Sequence, residues 1–266
     1  VSEPSKLFDI NLGESVDGTV KVLLDYSNIS QKYIGSHLEN GIAYEGELFA
    51  LILKKVKPGH TFFDIGAHVG FFSMIAAKLV GESGTVYSFE MNPENYSRLV
   101  ANMSLNNFKN IRPHNWAVSD DSKPVLFWVN QDNDGGHSLW DCGKHSFNEK
   151  SRSSPQKMAS YSIALDHYDS FDKVHFIKMD IEGSEVLALN GMINLLKKNF
   201  PIVTLEINNF GLSQMGHSYR DVRELMGKIG YRCWLIEGQE PKELKIDEEP
   251  KFENVYNLCF STESIL

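Results

Sequence analysis

From Thr61 onward, short apolar runs that suit strands alternate with amphipathic runs that suit helices. This rhythm restricts the possible folds more than any other feature of the 266-residue chain. Thr61–Ile65 reads as a strand and Gly70–Leu79 as a helix, then Thr85–Phe89 as a strand and Pro93–Asn106 as a helix. Ile111–Val118 holds another strand. Val174–Met179 is a buried strand followed by helical segments over Ser184–Lys198. Ile202–Ile207 precedes the helix Tyr219–Ile229, and Tyr231–Ile236 and Val255–Phe260 are the last strands. Strand and helix alternating at this spacing predict an α/β fold, a parallel sheet with helices on both faces. The length suits one large domain plus an extension. We divide the chain into an N-terminal extension, 1–58, and a ligand-binding domain, 59–266. The extension has a plausible strand at Val20–Tyr26 and an amphipathic helix at Tyr44–Val56, stopped by Pro58-Gly59. It is expected to cover the entrance of the second domain or to form a subunit contact, which leaves a homo-oligomer open. Val125–Val129 and Tyr161–Leu165 read as strands, and the polar stretch 130–160 between them reads as a binding loop, a lid or a disordered segment.

Charge and cysteine usage narrow the partners. A net charge of −9 repels phosphate backbones and anionic lipid, so nucleic acid is not an expected partner. Cys142, Cys233 and Cys259 are widely spaced with no CxxC pair, so they read as free thiols of a reducing, cytoplasmic protein. No signal peptide is visible, and the longest apolar run, Val69–Val80, contains Lys78 and is too short to span a bilayer. Beginning at Val1 and not Met, the sequence reads as a trimmed chain or one domain of a longer protein.

Five segments at strand ends carry polar chemistry. Asp64-Ile65-Gly66-Ala67-His68-Val69-Gly70 follows a strand and opens a helix, where α/β sheets bind ligands. Gly66 and Gly70 allow a tight turn and close backbone approach. The spacing is not GxGxxG, which argues against a dinucleotide pyrophosphate site. The leading acid, Asp64, suits a cationic ligand such as the methionine part of S-adenosylmethionine, with Ala67 and His68 facing the same pocket. Without a ligand the segment is simply a strand-to-helix turn. Glu90, 20 residues past Gly70, is placed to accept hydrogen bonds from a ribose diol, with Asn92 beside it as a further contact or as a helix cap. Ser119 and Asp120, in Trp116-Ala117-Val118-Ser119-Asp120, read as an adenine edge or a strand-ending turn. In Lys178-Met179-Asp180-Ile181-Glu182-Gly183-Ser184-Glu185, three carboxylates within six residues are costly without a partner. Asp180 is the candidate to take a proton from an attacking hydroxyl, supported by Lys178 and Glu206, and a candidate cofactor contact; Glu182 is a candidate substrate contact, although a helix N-terminus already accounts for Glu182 and Glu185. Glu206 and Asn208, at the next strand end, are candidates to bind sugar hydroxyls or, with Asp180, to hold magnesium through hard oxygen ligands. His137 and Ser138, in Gly135-Gly136-His137-Ser138-Leu139, and His217 are candidate substrate contacts, although each histidine is also explained as a surface or hydrogen-bonded residue.

With these motifs in order, the sequence resembles the FkbM family of S-adenosylmethionine-dependent O-methyltransferases over about residues 45–240. The stretches that carry the likeness are FFDIGAHVGFFS, FEMNP, WAVSD, KMDIEGSE and LEIN. The resemblance implies a class I methyltransferase, Rossmann-like sheet of seven strands, the last antiparallel. It implies that Asp64, Gly66 and Gly70 line the methionine site, that Glu90 binds the ribose and that Ser119-Asp120 lies by the adenine. It further implies methyl transfer to a hydroxyl of a sugar or secondary metabolite. Transfer would be a single in-line displacement in which the protein aligns the hydroxyl and removes its proton. A small-molecule or lipid-linked hydroxyl is the alternative acceptor, and a nucleotide-dependent oxidoreductase or a non-catalytic binding module the alternative functions.

Overall fold

The computed structural model describes residues 4–266 except 14, 15, 17, 169, 170, 172, 239, 246, 247, 249 and 251–254. An antiparallel hairpin, β1 (Ser5–Asn11) and β2 (Thr19–Asp25), leads into α1 (Ile29–Glu39) and α2 (Gly46–Lys55). The alternating region follows as β3 (Thr61–Ile65), α3 (Phe71–Val80), β4 (Thr85–Phe89), α4 (Pro93–Leu105) and β5 (Ile111–His114). β6 (Ala117–Val118), β7 (Lys123–Val129), α5 (Glu149–Ser153) and β8 (Gln156–Ile163) form an insertion. The chain then returns through β9 (Phe176–Met179), α6 (Glu185–Asn190), α7 (Ile193–Asn199), β10 (Ile202–Asn208), α8 (Asn209–Gln214) and α9 (Tyr219–Ile229). It closes with β11 (Arg232–Ile236), β12 (Lys242–Leu244) and β13 (Val255–Ser261).

The central sheet has the order β12-β11-β13-β10-β9-β3-β4-β5. β10, β9, β3, β4 and β5 run parallel, and β13 is antiparallel to both β10 and β11. This is the seven-stranded class I arrangement with its reversed last strand. An eighth strand is added because β12 folds back antiparallel on β11 at the edge. The central strands are mostly apolar because both faces are covered, with Asp64 and Lys178 the charged exceptions near the carboxyl ends of β3 and β9: Phe62 and Phe176 pack toward α3, Phe63 and Ile177 toward the α6–α9 side. Strand order reverses between β3 and β9, so a crevice opens outside their carboxyl ends.

The N-terminal segment shares the main core. Val20, Val22 and Leu24 are fully buried with Ile52, Ile75 and Phe176; burying each such side chain contributes about 1.5–3 kcal/mol. The free edge of β2 is met by Asn102 of α4 and by Asn106, the residue that caps that helix. The Asn102 amide oxygen accepts from Leu23 N at 2.7 Å, and Asn106 exchanges two hydrogen bonds with the Lys21 backbone. Side chains bonded along the edge leave fewer free backbone groups for another strand.

Two expectations need revision. Ile111–Val118 is not one strand: Asn115 turns the chain by donating to the carbonyls of Glu90 and Met91, so β5 stays in the main sheet and β6 pairs with β8. The polar stretch is folded. Asn130 Oδ1 accepts from the backbone of Asp132 and Asn133, and Asp132 accepts from the backbone of Lys150 and Ser151. Its return strand, β8, starts at Gln156, before the expected Tyr161. Among the described residues no helix is long and apolar enough to cross a membrane.

Candidate active site

The turn after β3 takes left-handed backbone at Gly66 (φ 75°), His68 (φ 52°) and Gly70 (φ 84°). Gly66 N and Ala67 N both donate to the Phe89 carbonyl, tying the turn to the end of β4. A Cβ on Gly66 would lie 1.8 Å from the Asp180 carbonyl oxygen, so the ends of β3 and β9 meet only because this residue is glycine. Glu90 is fixed by two amides: His68 N donates to Oε2 and Asn92 N to Oε1, each at 2.8 Å. Burial raises its pKa, and these amide hydrogen bonds work against the rise.

These residues border a cavity of about 380 Å³. Gly66, Ala67, His68 and Glu90 line one part of it, and Met91, Trp116, Ala117 and Val118 the adjoining apolar part. Lys178, Asp180, Glu182 and Glu206 line the far part, so the strand ends identified in the sequence do converge there. Lys178 Nζ lies 3.4 Å from Asp180 Oδ2 and 3.9 Å from Asp64 Oδ1. Burial disfavours the ammonium, but Asp180, Asp64, Glu45 and Glu206 override it and raise its pKa. Glu182 sits in left-handed backbone (φ 55°), its carbonyl accepting from Trp140 Nε1 at 2.6 Å and its carboxylate from Asn208 Nδ2 at 2.8 Å. Burial, reinforced by the Asp180 charge, pushes it up to about 7. Glu206 is raised well above the usual carboxylate range by burial and by Asp180, Glu182 and Glu45.

Several candidates lie outside the cavity lining. Asp64 is fully buried beneath the turn, accepting from Ser73 Oγ at 2.6 Å, so it supports the seat and does not face the cavity. Gly70 caps α3 against Leu99. Asn92 is spent as the N-cap of α4, accepting from the amides of Glu94 and Asn95. Ser119 is buried with its amide on the Ile163 carbonyl, and Asp120 is exposed, because β6 carries both into the second sheet. Trp116–Val118 line the cavity in their place. Ser138 is buried in the loop, bonded to Trp140 O. His217 lines a separate groove with Val186 and Asp221. Asn208 holds Glu182 and caps α8, so it is absent from the carboxylate group. His137 does line the cavity, accepting from Asn130 N, and burial pulls it down to about 4.

Two features were not legible in the sequence. Glu45, in left-handed backbone (φ 45°) ahead of α2, brings a carboxylate oxygen within 4.8 Å of those of Asp180 and Glu206. The oxygen-only trio suits a hard divalent cation, but the Lys178 ammonium already stands against Asp180. Burial raises Glu45, with Lys178 opposing. The second is Asp134, which accepts from Ser30 N and Gln31 Nε2 at 2.9 Å and meets His68 Nε2 at 2.8 Å, while its carbonyl accepts from Asn95. Burial alone would raise its pKa, but His68, Gln31 and Ser30 bring it down to about 2. The polar loop is thereby joined to α1 and to the glycine turn, roofing the cavity.

Glu185, just below this wall, is fully buried; Gly183 N donates to Oε1 and Oε2 has no partner. Burial pushes it up to about 8. Between about pH 5 and about pH 8 the folded protein therefore holds a proton that the unfolded chain has released, and stability falls as pH rises. The loss is on the order of 4 kcal/mol across that window. Glu185→Gln should unfold near the wild-type temperature at pH 5 and above it at pH 8.5 in thermal denaturation. Parallel pH curves for the two proteins would refute the assignment.

The family model for the FkbM methyltransferase domain matches residues 64–233. Hexuronic acid methyltransferase AglP of Haloferax volcanii is 26% identical over 163 residues, 60% of this chain and 62% of that protein, so the likeness spans less than two thirds of that relative. Among solved structures, the chain is similar to methyltransferase FkbM from Methylobacillus flagellatus KT (TM-score 0.46, 17% identity, 81% of this chain and 53% of that one). It is also similar to precorrin-6y C5,15-methyltransferase from Geobacter metallireducens GS-15 (TM-score 0.48, 12% identity, 83% and 88%). The family match covers more than half of the chain and takes in the glycine turn, the Glu90 strand end and the Asp180 wall, and on it the chain belongs to the FkbM methyltransferase family.

Proposed function

We propose that this methyltransferase uses S-adenosylmethionine and transfers its methyl group to a hydroxyl of a sugar or glycan. The observation that carries the reading is one cavity with an amide-anchored carboxylate, Glu90, at one part and Asp180 paired with Lys178 at another. The residues fit the cofactor. Glu90 keeps lone pairs for a ribose diol, Met91 and Trp116–Val118 offer an apolar adenine slot, and the Gly66–His68 turn admits close backbone approach. When bound, S-adenosylmethionine supplies a methyl group already activated by its sulfonium.

The protein's part is alignment and proton removal. Asp180 accepts the proton of the acceptor hydroxyl, and Lys178 orients its carboxylate through the 3.4 Å ion pair. Glu206 and Glu182 border the same space and hydrogen-bond further hydroxyls. A sugar acceptor is supported by the likeness to AglP, a hexuronic acid methyltransferase. A cytoplasmic location is supported by three buried cysteines, all free.

Thermal shift tests the cofactor. S-adenosylhomocysteine at 100 times its Kd should raise the melting temperature by about 5 °C or more. NAD should leave it unchanged; a shift with NAD alone would overturn the S-adenosylmethionine reading. Mass spectrometry of a glycan panel after incubation with S-adenosylmethionine then tests transfer.

A further inference from the structure

The wall around Asp180 is strongly acidic. Glu45, Glu182 and Glu206 join Asp180 on the cavity lining, and the one lysine among them, Lys178, is already paired with Asp180 and Asp64. The other basic side chains on the lining, His68 and His137, do not offset this charge: His68 is bonded to Asp134, and burial disfavours the charged form of His137. A second, independent feature of the same cavity is aromatic. Tyr33 and Tyr44 both line it, their rings edge-to-face at 6.2 Å, with Tyr44 braced edge-on by Phe71. Carboxyl groups for hydroxyls and aromatic faces for C–H surfaces are the two contacts a sugar ring uses.

We propose that Glu45, with Glu182 and Glu206, makes the acceptor site selective for a neutral, hydroxyl-rich sugar and turns away sugars that carry a carboxylate. The proposal rests on the sugar O-methyltransferase reading above. A hexuronate seated here would set its carboxylate among several acids with no unpaired cation among the described lining residues to meet it, and a like charge at a partly desolvated site is rejected. Burial and the neighbouring carboxylates raise the pKa values of Glu45, Glu182 and Glu206, so the site already disfavours negative charge, and a carboxylate on the acceptor would meet the same penalty. Glu45 lies outside residues 64–233, so the N-terminal segment contributes to this selectivity beside Glu182 and Glu206 of the family domain. The chain therefore differs in acceptor charge from AglP, named for a hexuronic acid.

The test compares matched methyl glycosides in the gluco, galacto and manno series, each as the hexoside and as the hexuronoside. Binding to protein loaded with S-adenosylhomocysteine is read by ligand-observed NMR, and transfer by kcat/KM. Hexosides should be preferred by about tenfold or more. Glu45→Gln should shrink that ratio by about threefold while its affinity for S-adenosylhomocysteine is kept. Equal or better hexuronoside binding overturns the proposal, and so does binding of neither class. Reversal of the preference by added Mg²⁺ overturns it too, since a metal would then bridge the acids to a carboxylate. A hexoside that is preferred in binding but receives no methyl leaves the selectivity standing and removes the O-transfer reading.

Discussion

Asp180→Asn should lower methyl transfer about 10³-fold, within the span usual for loss of a positioned base, while S-adenosylhomocysteine still stabilises the protein. The substitution keeps the size of the side chain and removes its ability to take a proton. The backbone is retained, with Asp180 N still on the Ile65 carbonyl at 3.0 Å, so β9 stays beside β3. Lys178 keeps Asp64 at 3.9 Å as a counter-charge, which limits the structural cost. The proposed cofactor seat at Gly66–His68 and Glu90 follows β3 and β4, and its hydrogen bonds do not involve the Asp180 carboxylate. Wild-type turnover by the variant would show that some other group takes the proton; Glu182, with a pKa near 7, would then be the next to replace. Equal losses of transfer and of cofactor affinity would instead assign Asp180 to cofactor binding.

Gly66→Ala should be strongly destabilising for a single added methyl. The new Cβ would stand 1.8 Å from Asp180 O and 2.8 Å from Asp180 C, both backbone atoms of the chain leaving β9, so no side chain can swing away. The residue also has φ 75°. The left-handed conformation costs about 1–2 kcal/mol for a residue with a Cβ, and overpacking adds about 1–3 kcal/mol. We expect a fall of about 10 °C in melting temperature and loss of S-adenosylhomocysteine binding. Gly41→Ala is the control: φ is 68° there, but no atom lies within 4 Å of the added carbon. Only the conformational penalty should appear at that site. Equal destabilisation by the two substitutions would mean that the approach of β3 to β9 is looser than the contact implies.

What could be read from the sequence was local. An apolar run predicts a strand, and the polar residue that ends the run sits at the sheet's carboxyl edge. Glu90, Lys178, Asp180 and Glu206 were accessible in this way, and all four line one cavity. The same logic failed at Ser119 and Asp120 because the chain bends at Asn115, whose amide reaches back to the carbonyls of Glu90 and Met91. That bend depends on a contact between distant segments, and hydrophobic periodicity is blind to it. Asn92 shows the opposite case: its cap role was already visible in Asn92-Pro93 and needed no ligand. Glu45 and Asp134 were out of reach, since a single acid in a polar segment carries no pattern until the fold delivers it to Asp180 or His68. The eighth strand was missed because β12 is three residues long, shorter than any periodic signal.

The roof over the cavity also dictates when the protein becomes competent during its own synthesis. The partners of Asp134 lie 104, 103, 66 and 39 positions away, at Ser30, Gln31, His68 and Asn95. Closing loops of such length is entropically costly and slow compared with forming a helix or a hairpin. A nascent chain carries its glycine turn and Glu90 well before it carries Asp134, and the Asp180 wall emerges later still. Until the insertion docks on the first helix, the cavity has its glycine turn but not its roof.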